Sequence, residues 1–397
     1  MDKLAIFGGT PVRDSKIYYG KQCVEEDDIA AVSEVLRSPY LTCGPKIDEL
    51  EAKLCEITGA KHAVAVSNGT AALHIACMAI GIQPGDEVIV SSITFAASSN
   101  CVLYCGGTPV FADIRPDTYN IDVEDVKRKI TDKTKAIVAV DFTGQAVELD
   151  ELKAICKEHN LYLIEDAAHS IGTKYKGEAV GSIADITTFS FHPVKTVTAG
   201  EGGACMTNDE ELYKKLSLAR THGITKNPAA MVRESEGPWY YEQVDLGYNY
   251  RITDFQAALL LSQLSKLDRF SKRRKEIRKM YDEAFSEMPE LFVQKHIPES
   301  DTTQHLYIIR LNPDKLKCTR REFFDAFAAE GFGPQVHYIP VYWHPYYEKL
   351  GYKKGLCPVA EATYEQILSI PFYAALTDEE VKDTIKAVKK VVEYYAV

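Results

Sequence analysis

From about residue 60 to residue 220 the chain alternates short β-rich runs with helical patterns. That alternation restricts the fold more than any other feature of its 397 residues. The β-rich runs cover residues 62–67, 87–92, 108–113, 136–141, 161–166, 185–191 and 203–207, seven candidate strands. Helix-like segments separate them, at 70–80 and at 149–160, where Leu149, Leu152, Ile155 and Cys156 share one face. Strand alternating with helix predicts an α/β fold with a mostly parallel seven-stranded sheet covered by helices, and right-handed crossovers leave few topologies open. Before this region, residues 25–36 and 46–57 read as amphipathic helices joined by a loop that contains Pro39 and Gly44. After it, a helical pattern runs from Thr253 to Ser286, long enough to bridge two domains. The remainder reads as a smaller α+β unit, with strands at 305–311 and 334–338 and helices at 319–330 and 377–395. The expected division is an N-terminal arm (1–25), a large α/β domain (26–265) and a small C-terminal domain (266–397).

Charge narrows the partners. Asp plus Glu number 57 against 46 for Lys plus Arg, a net charge of −11. A nucleic-acid-binding protein would usually carry a basic footprint instead. No apolar run approaches the roughly 18 residues of a membrane span, and the first residues lack a charged-then-apolar leader. The ten cysteines are scattered with no Cys-x-x-Cys pair, several in apolar stretches, and read as reduced, mostly buried thiols. A cytoplasmic protein is expected.

Two residues carry the most chemical information. The apolar run at 161–166 delivers Asp166 to its carboxyl end, where open α/β sheets bind ligands. A second run delivers Lys195 to the same edge, followed by Gly200-Glu-Gly-Gly. A lysine and an aspartate there fit pyridoxal phosphate chemistry, the lysine bonding the cofactor aldehyde and the aspartate keeping the ring nitrogen protonated. A surface lysine and a helix-capping aspartate fit the same spacing. Ser67-Asn-Gly-Thr-Ala-Ala-Leu fits a phosphate site: it follows a strand and opens a helix of small residues, and the free amides and positive dipole end there favour an anion, although taken alone an ordinary helix cap is the simpler reading. It matches neither a dinucleotide fingerprint nor a P-loop.

These motifs, with Thr94-Phe95, Glu165-Asp-Ala-Ala-His169, Phe189-Ser-Phe-His-Pro-Val-Lys195, Arg220-Thr-His-Gly223 and Gly247-Tyr-Asn-Tyr-Arg-Ile-Thr-Asp-Phe-Gln-Ala-Ala258, occur in an order that resembles the DegT/StrS family of sugar-nucleotide aminotransferases. The resemblance spans nearly the whole chain. It implies a fold type I pyridoxal 5′-phosphate enzyme acting as a homodimer with shared active sites. By motif, Lys195 would be the Schiff-base lysine and proton shuttle, Asp166 the partner of the ring nitrogen, Phe95 the aromatic stacked on the ring, and His169 a neighbour of the ring hydroxyl. Gly69, Thr70 and Ser190 would hold the phosphate, with Asn249 reaching over from the other subunit.

Within the family, the segments around Tyr19 and Tyr40 and the stretch from Gln335 to Tyr347 resemble the pseudaminic acid pathway transaminases. The resemblance implies amino transfer from L-glutamate to C4 of a UDP-linked 4-keto-6-deoxy-N-acetylhexosamine. It places Tyr19, Tyr40, Leu41, Thr42, Arg251, His337 and Tyr338 at the substrate. For most tyrosines of 338–347, core or interface packing is the simpler expectation. At Asp141-Phe-Thr-Gly144 the chain departs from the His-Leu-Tyr-Gly common in the wider family. An aminotransferase for another keto-sugar or a cyclitol would keep every cofactor residue. A dehydratase on this scaffold would carry His in place of the lysine, so Lys195 counts against it, and the complete constellation counts against a non-catalytic regulator.

Overall fold

A computed structural model describes residues 3–397. The seven expected strands form one sheet: β1 (His62–Val66), β2 (Glu87–Ser91), β3 (Thr108–Ala112), β4 (Thr134–Val140), β5 (Tyr162–Asp166), β6 (Ile186–Ser190) and β7 (Gly203–Thr207). Their spatial order is β1-β7-β6-β5-β4-β2-β3. Only β7 runs antiparallel to its neighbours; the other pairings are parallel. The register aligns Val140 with Asp166 and Asp166 with Thr188, so the carboxyl ends of β4, β5 and β6 finish together.

Helices α1 (Glu26–Arg37), α2 (Pro45–Thr58), α3 (Gly69–Ala79), α4 (Ala97–Tyr104), α5 (Val123–Lys129), α6 (Leu149–His159) and α7 (Glu210–Arg220) accompany the sheet. Successive residues of β4 feed opposite cores. Ile137 and Ala139 join Leu163, Phe189 and α6, whereas Ala136 and Val138 join Ile164, Ile186 and the small side chains of α3. Burial on both faces explains why these strands read as continuous apolar runs.

The long helix expected from Thr253 to Ser286 is two helices, α8 (Asp254–Leu264) and α9 (Leu267–Phe285). At the break the Lys266 amide donates to the Gln263 carbonyl at 3.0 Å, a tighter turn than an α-helix allows. This swings the Lys266 ammonium into the start of α1, 2.6 Å from Asp27, 2.9 Å from Asp28 and 3.3 Å from Glu25. The sequence did not report the break because the Leu-rich first half runs into the Lys- and Arg-rich amphipathic second half with no Gly or Pro between them.

Toward the C-terminus, Leu291–Val293, Tyr307–Leu311 and Ile367–Ile370 form an antiparallel sheet. Its core includes residues of α9, Arg320–Ala329 and the terminal helix Asp378–Tyr395. The strand expected at 334–338 is absent. Phe332–Gly333 pairs in parallel with Ile17–Tyr18, Gln335 bridges to Ser369, and the chain then leaves the sheet. Past that bridge the His337 Nδ1 still bonds the Ser369 hydroxyl at 2.8 Å, while His337 and Tyr338 line the cavity described below. Tyr342 and Tyr347 are core residues, as the packing expectation holds, and Tyr346 is exposed. All ten cysteines are free, but only half are buried; Cys43 is exposed and Cys23, Cys55, Cys105 and Cys318 are half-buried. No described helix is long and apolar enough to cross a membrane.

Candidate active site

A cavity of about 700 Å³ opens at the carboxyl edge of the sheet, and the two diagnostic residues face it. Asp166 ends β5 and is almost completely buried. Its Oδ2 accepts from the Ser98 hydroxyl at 2.6 Å and its Oδ1 from the Ala168 amide at 3.2 Å. Burial raises the carboxyl's pKa, while these donors and the positive field of Lys195 oppose the rise. Lys195 lies on the turn after β6, its amide bonded to the His192 carbonyl at 2.9 Å. Desolvation pushes its ammonium down to about 8, with Asp166 acting in the other direction. A lysine so poised has roughly a tenth of its amine free at pH 7, far more than an ordinary lysine.

The opposite end of the cavity is the N-terminus of α3. Asn68 caps it, its Oδ1 accepting from the Ala71 amide at 2.8 Å, which leaves the amides of Gly69 and Thr70 at the mouth. Two glycines make this end possible. A Cβ on Gly69 would come within 2.8 Å of the Ser190 Cβ, and one on Gly203 within 2.5 Å of the Asn68 carbonyl. The glycines after Lys195 therefore let β7 pass directly behind the α3 terminus.

Aromatic rings and histidines complete the walls. Phe95 is 61% exposed and borders the opening, its ring 6.2 Å from that of Tyr338. His169 is buried, its Nδ1 has no partner among the described residues, and burial drives its pKa well down, so it is neutral. His337 is likewise desolvated, to about 3, and its ring sits 4.9 Å from that of Tyr19. The N-terminal arm brings Tyr19 there, its amide bonded to the Gly333 carbonyl at 2.9 Å.

The cavity thus gathers Gly69, Thr70, Phe95, Asp166, His169, Ser190, Lys195, Tyr19, His337 and Tyr338. Five expected residues do not line it. Asn249 and Arg251 bridge Thr221 and Val66, and Thr42 bridges Thr253, which puts them on a ribbon outside the cavity of their own chain. Tyr40 and Leu41 adjoin that ribbon, 54% and 48% exposed. Sequence reasoning missed Ser98, Tyr104 and Tyr250. Ser98 had a signal, since it lies four residues after Thr94 and the two hydroxyls bond at 2.7 Å. Tyr104 and Tyr250 had none, because distant segments bring them together.

The residues fit pyridoxal 5′-phosphate: a buried acid with room before it, an amine facing it, and an amide-rich helix terminus for a phosphate. Comparison with known proteins agrees. The model of the DegT/DnrJ/EryC1/StrS aminotransferase family matches residues 22–389. The chain is 42% identical over 384 residues to the spore coat polysaccharide biosynthesis protein SpsC of Bacillus subtilis, covering 96% of this chain and 98% of the relative. It is 39% identical over 375 residues to the UDP-4-amino-4,6-dideoxy-N-acetyl-beta-L-altrosamine transaminase of Campylobacter jejuni strain 81-176, covering 93% and 96%. The solved structure of Helicobacter pylori PseC, an aminotransferase involved in the biosynthesis of pseudoaminic acid, superposes with a TM-score of 0.89 at 33% identity, covering 96% of this chain and all of that one. The chain therefore belongs to the DegT/DnrJ/EryC1/StrS aminotransferase family, and it is a pyridoxal 5′-phosphate-dependent sugar aminotransferase.

Proposed function

We propose that this aminotransferase moves an amino group from L-glutamate to C4 of a UDP-linked 4-keto-6-deoxy-N-acetylhexosamine, in the cytoplasm, on the way to a surface-glycan sugar of the pseudaminic acid type. The observation that carries the reading is the pairing of Lys195 and Asp166 across one cavity at the end of β5 and β6. Bound there, the cofactor supplies an aldehyde to accept the amine and a ring to draw electrons from the carbon losing its proton. Lys195 Nζ is the base that takes that proton from the amino acid and the acid that returns one to sugar C4. Asp166 holds the ring nitrogen protonated, and the Ser98 hydroxyl keeps it ionised and in place. Phe95 covers one ring face and the neutral His169 borders the ring hydroxyl. Gly69, Thr70 and Ser190 bind the phosphate. Tyr19, His337 and Tyr338 shape the sugar pocket and exclude water.

Asn249, with Tyr40, Leu41, Thr42 and Arg251, acts on the cavity of a second copy in a homodimer. Their position outside their own cavity supports this arrangement. We read 26–265 as the cofactor-binding unit, with 1–25 an arm and 266–397 a second unit. The relation to SpsC, closer in identity than that to the altrosamine transaminase, favours a second reading in which the acceptor is another keto-sugar nucleotide.

The test is the visible absorbance of the purified protein. L-glutamate should bleach the band of the bound cofactor, and the UDP-4-keto-sugar should restore it with formation of an amino sugar. A band indifferent to glutamate rejects the donor; bleaching without recovery on that sugar rejects the acceptor and moves weight to the second reading. Lys195→Ala should abolish turnover, and an active variant would sink the mechanism.

A further inference from the structure

Two buried carboxyl groups on the reverse side of the sheet take no part in the cavity. Register pairs Ala139 with Glu165 and Val140 with Asp166, so Asp166 faces the cavity while Glu165 faces away, as does Asp141, two residues beyond Ala139. Asp141 and Glu165 are both fully buried. Asp141 accepts from the Ser170 hydroxyl at 2.6 Å and the Val147 amide at 3.0 Å, and Glu165 Oε2 accepts from the Thr187 hydroxyl at 2.8 Å. Glu165 Oε1 is buried with no donor among the described residues. On the same face of the sheet its neighbour is the carboxyl of Asp141, whose hydrogen bond lowers the pKa of Glu165. A carboxyl can donate only if it holds a proton.

We propose that Asp141 and Glu165 share one proton as an acid–carboxylate pair, and that this pair is a positioning element behind Asp166. The shared proton pairs the orphan Oε1 and removes one of two like charges from a site without a cation. The groups facing the pair from β6, from the turn after β5 and from the segment before α6 are the Thr187 and Ser170 hydroxyls and the Val147 amide. The charged groups nearby are Asp166 and, across the sheet, Lys195. Burial lifts both carboxyls; Glu165 further raises Asp141, whereas the bond to Asp141 lowers Glu165, which stands at about 7, so Asp141 is the group that holds the shared proton. The pair is tied to Asp166 through the chain at Glu165 and through the Asp141 amide, which donates to the Asp166 carbonyl at 3.1 Å. With the proton in place the pair carries a single negative charge. Its loss puts a second charge behind Asp166 and raises that carboxyl's affinity for a proton, which would change how Asp166 holds a proton at the ring nitrogen. This consequence rests on the role proposed for Asp166; the shared proton does not.

The experiment is infrared difference spectroscopy of the purified holoenzyme against Asp141→Asn and Glu165→Gln. The carbonyl absorption of a protonated carboxylic acid should persist at pH 8, above the step of Glu165 near 7, and be lost or shifted in each variant. It should survive in Asp166→Asn. An absorption unchanged in both variants overturns the shared proton. Should either variant fail to fold, Ser170→Ala and Thr187→Val each remove one hydroxyl donor and must shift the band's frequency; an unmoved band overturns the proposal equally. The positioning role is read from the pH titration of the cofactor's visible absorbance, whose midpoint should move in Asp141→Asn. An unmoved midpoint overturns the link to Asp166. Loss of the infrared band in the variants of a protein that glutamate does not bleach keeps the pair and rejects glutamate as the donor.

Discussion

At the scale of single residues, the site is a set of buried polar groups whose protonation states are set by their neighbours. Ser98 donates a charge-assisted bond to Asp166, of a kind worth about 1.5–3 kcal/mol. Ser98→Ala should therefore lower kcat by roughly ten- to a hundredfold, at about 1.4 kcal/mol per factor of ten, measured by steady-state kinetics with saturating cofactor. Gly69 has no room for a side chain beside Ser190, so Gly69→Ala must displace the phosphate-binding turn. The expected result is weaker binding of pyridoxal 5′-phosphate in an absorbance titration, with a lower Tm of the cofactor-free protein from the same clash. Lys195 gives a stability prediction with a definite sign. Its pKa of about 8 lies below that of the unfolded chain, so the unfolded state binds more protons between pH 8 and about 10.5. Stability of the cofactor-free protein rises with pH across that window, and the penalty is complete below it. Lys195→Met should stabilise the cofactor-free protein at pH 7 by about 3 kcal/mol in urea unfolding, at ~1.4 kcal/mol per pKa unit, and the gain should vanish near pH 10.5.

At the scale of elements, the joint between α8 and α9 depends on one ammonium. Lys266 is buried against the carboxylates of Glu25, Asp27 and Asp28, and Asp28 is fully buried with further bonds from Ser262 at 2.6 Å and Gln263 at 2.8 Å. Removing the cation leaves Asp28 buried and uncompensated, a loss of about 3–5 kcal/mol. Lys266→Met should show that loss in urea unfolding, and a Lys266→Met/Asp28→Asn double variant should recover part of it. The continuous apolar period of 253–286 concealed this joint, because the turn is made by a tertiary ion cluster and not by a Gly or Pro. The helix starts were more legible. Thr253, Thr319 and Thr377 each form a reciprocal cap with the residue three positions on, a pattern contained within four residues.

At the scale of the whole molecule, the exposed ribbon at 249–253 and the segment at 40–42 bear on how two copies would share their sites. In the proposed dimer, Lys195→Ala and Asn249→Ala are each inactive alone. A mixed dimer holds one site with both substitutions and one with neither. Co-refolded subunits should regain roughly a quarter of wild-type activity on statistical pairing, and no recovery would place Asn249 outside a shared site. The sequence alone determined the sheet, because strand and helix periods and their caps are written in a few consecutive residues. It also determined the family, because many short motifs in fixed order rarely coincide by chance. It placed Lys195 and Asp166 at one edge because both follow strands of that sheet. The tertiary structure alone decided that Ser98 holds Asp166, that Asp141 meets Glu165, that Lys266 breaks a helix, and that Tyr40, Leu41, Thr42, Asn249 and Arg251 stand outside the cavity of their own chain. Those contacts join residues tens to hundreds of positions apart. Their existence depends on strand register and crossover geometry, which no local pattern encodes.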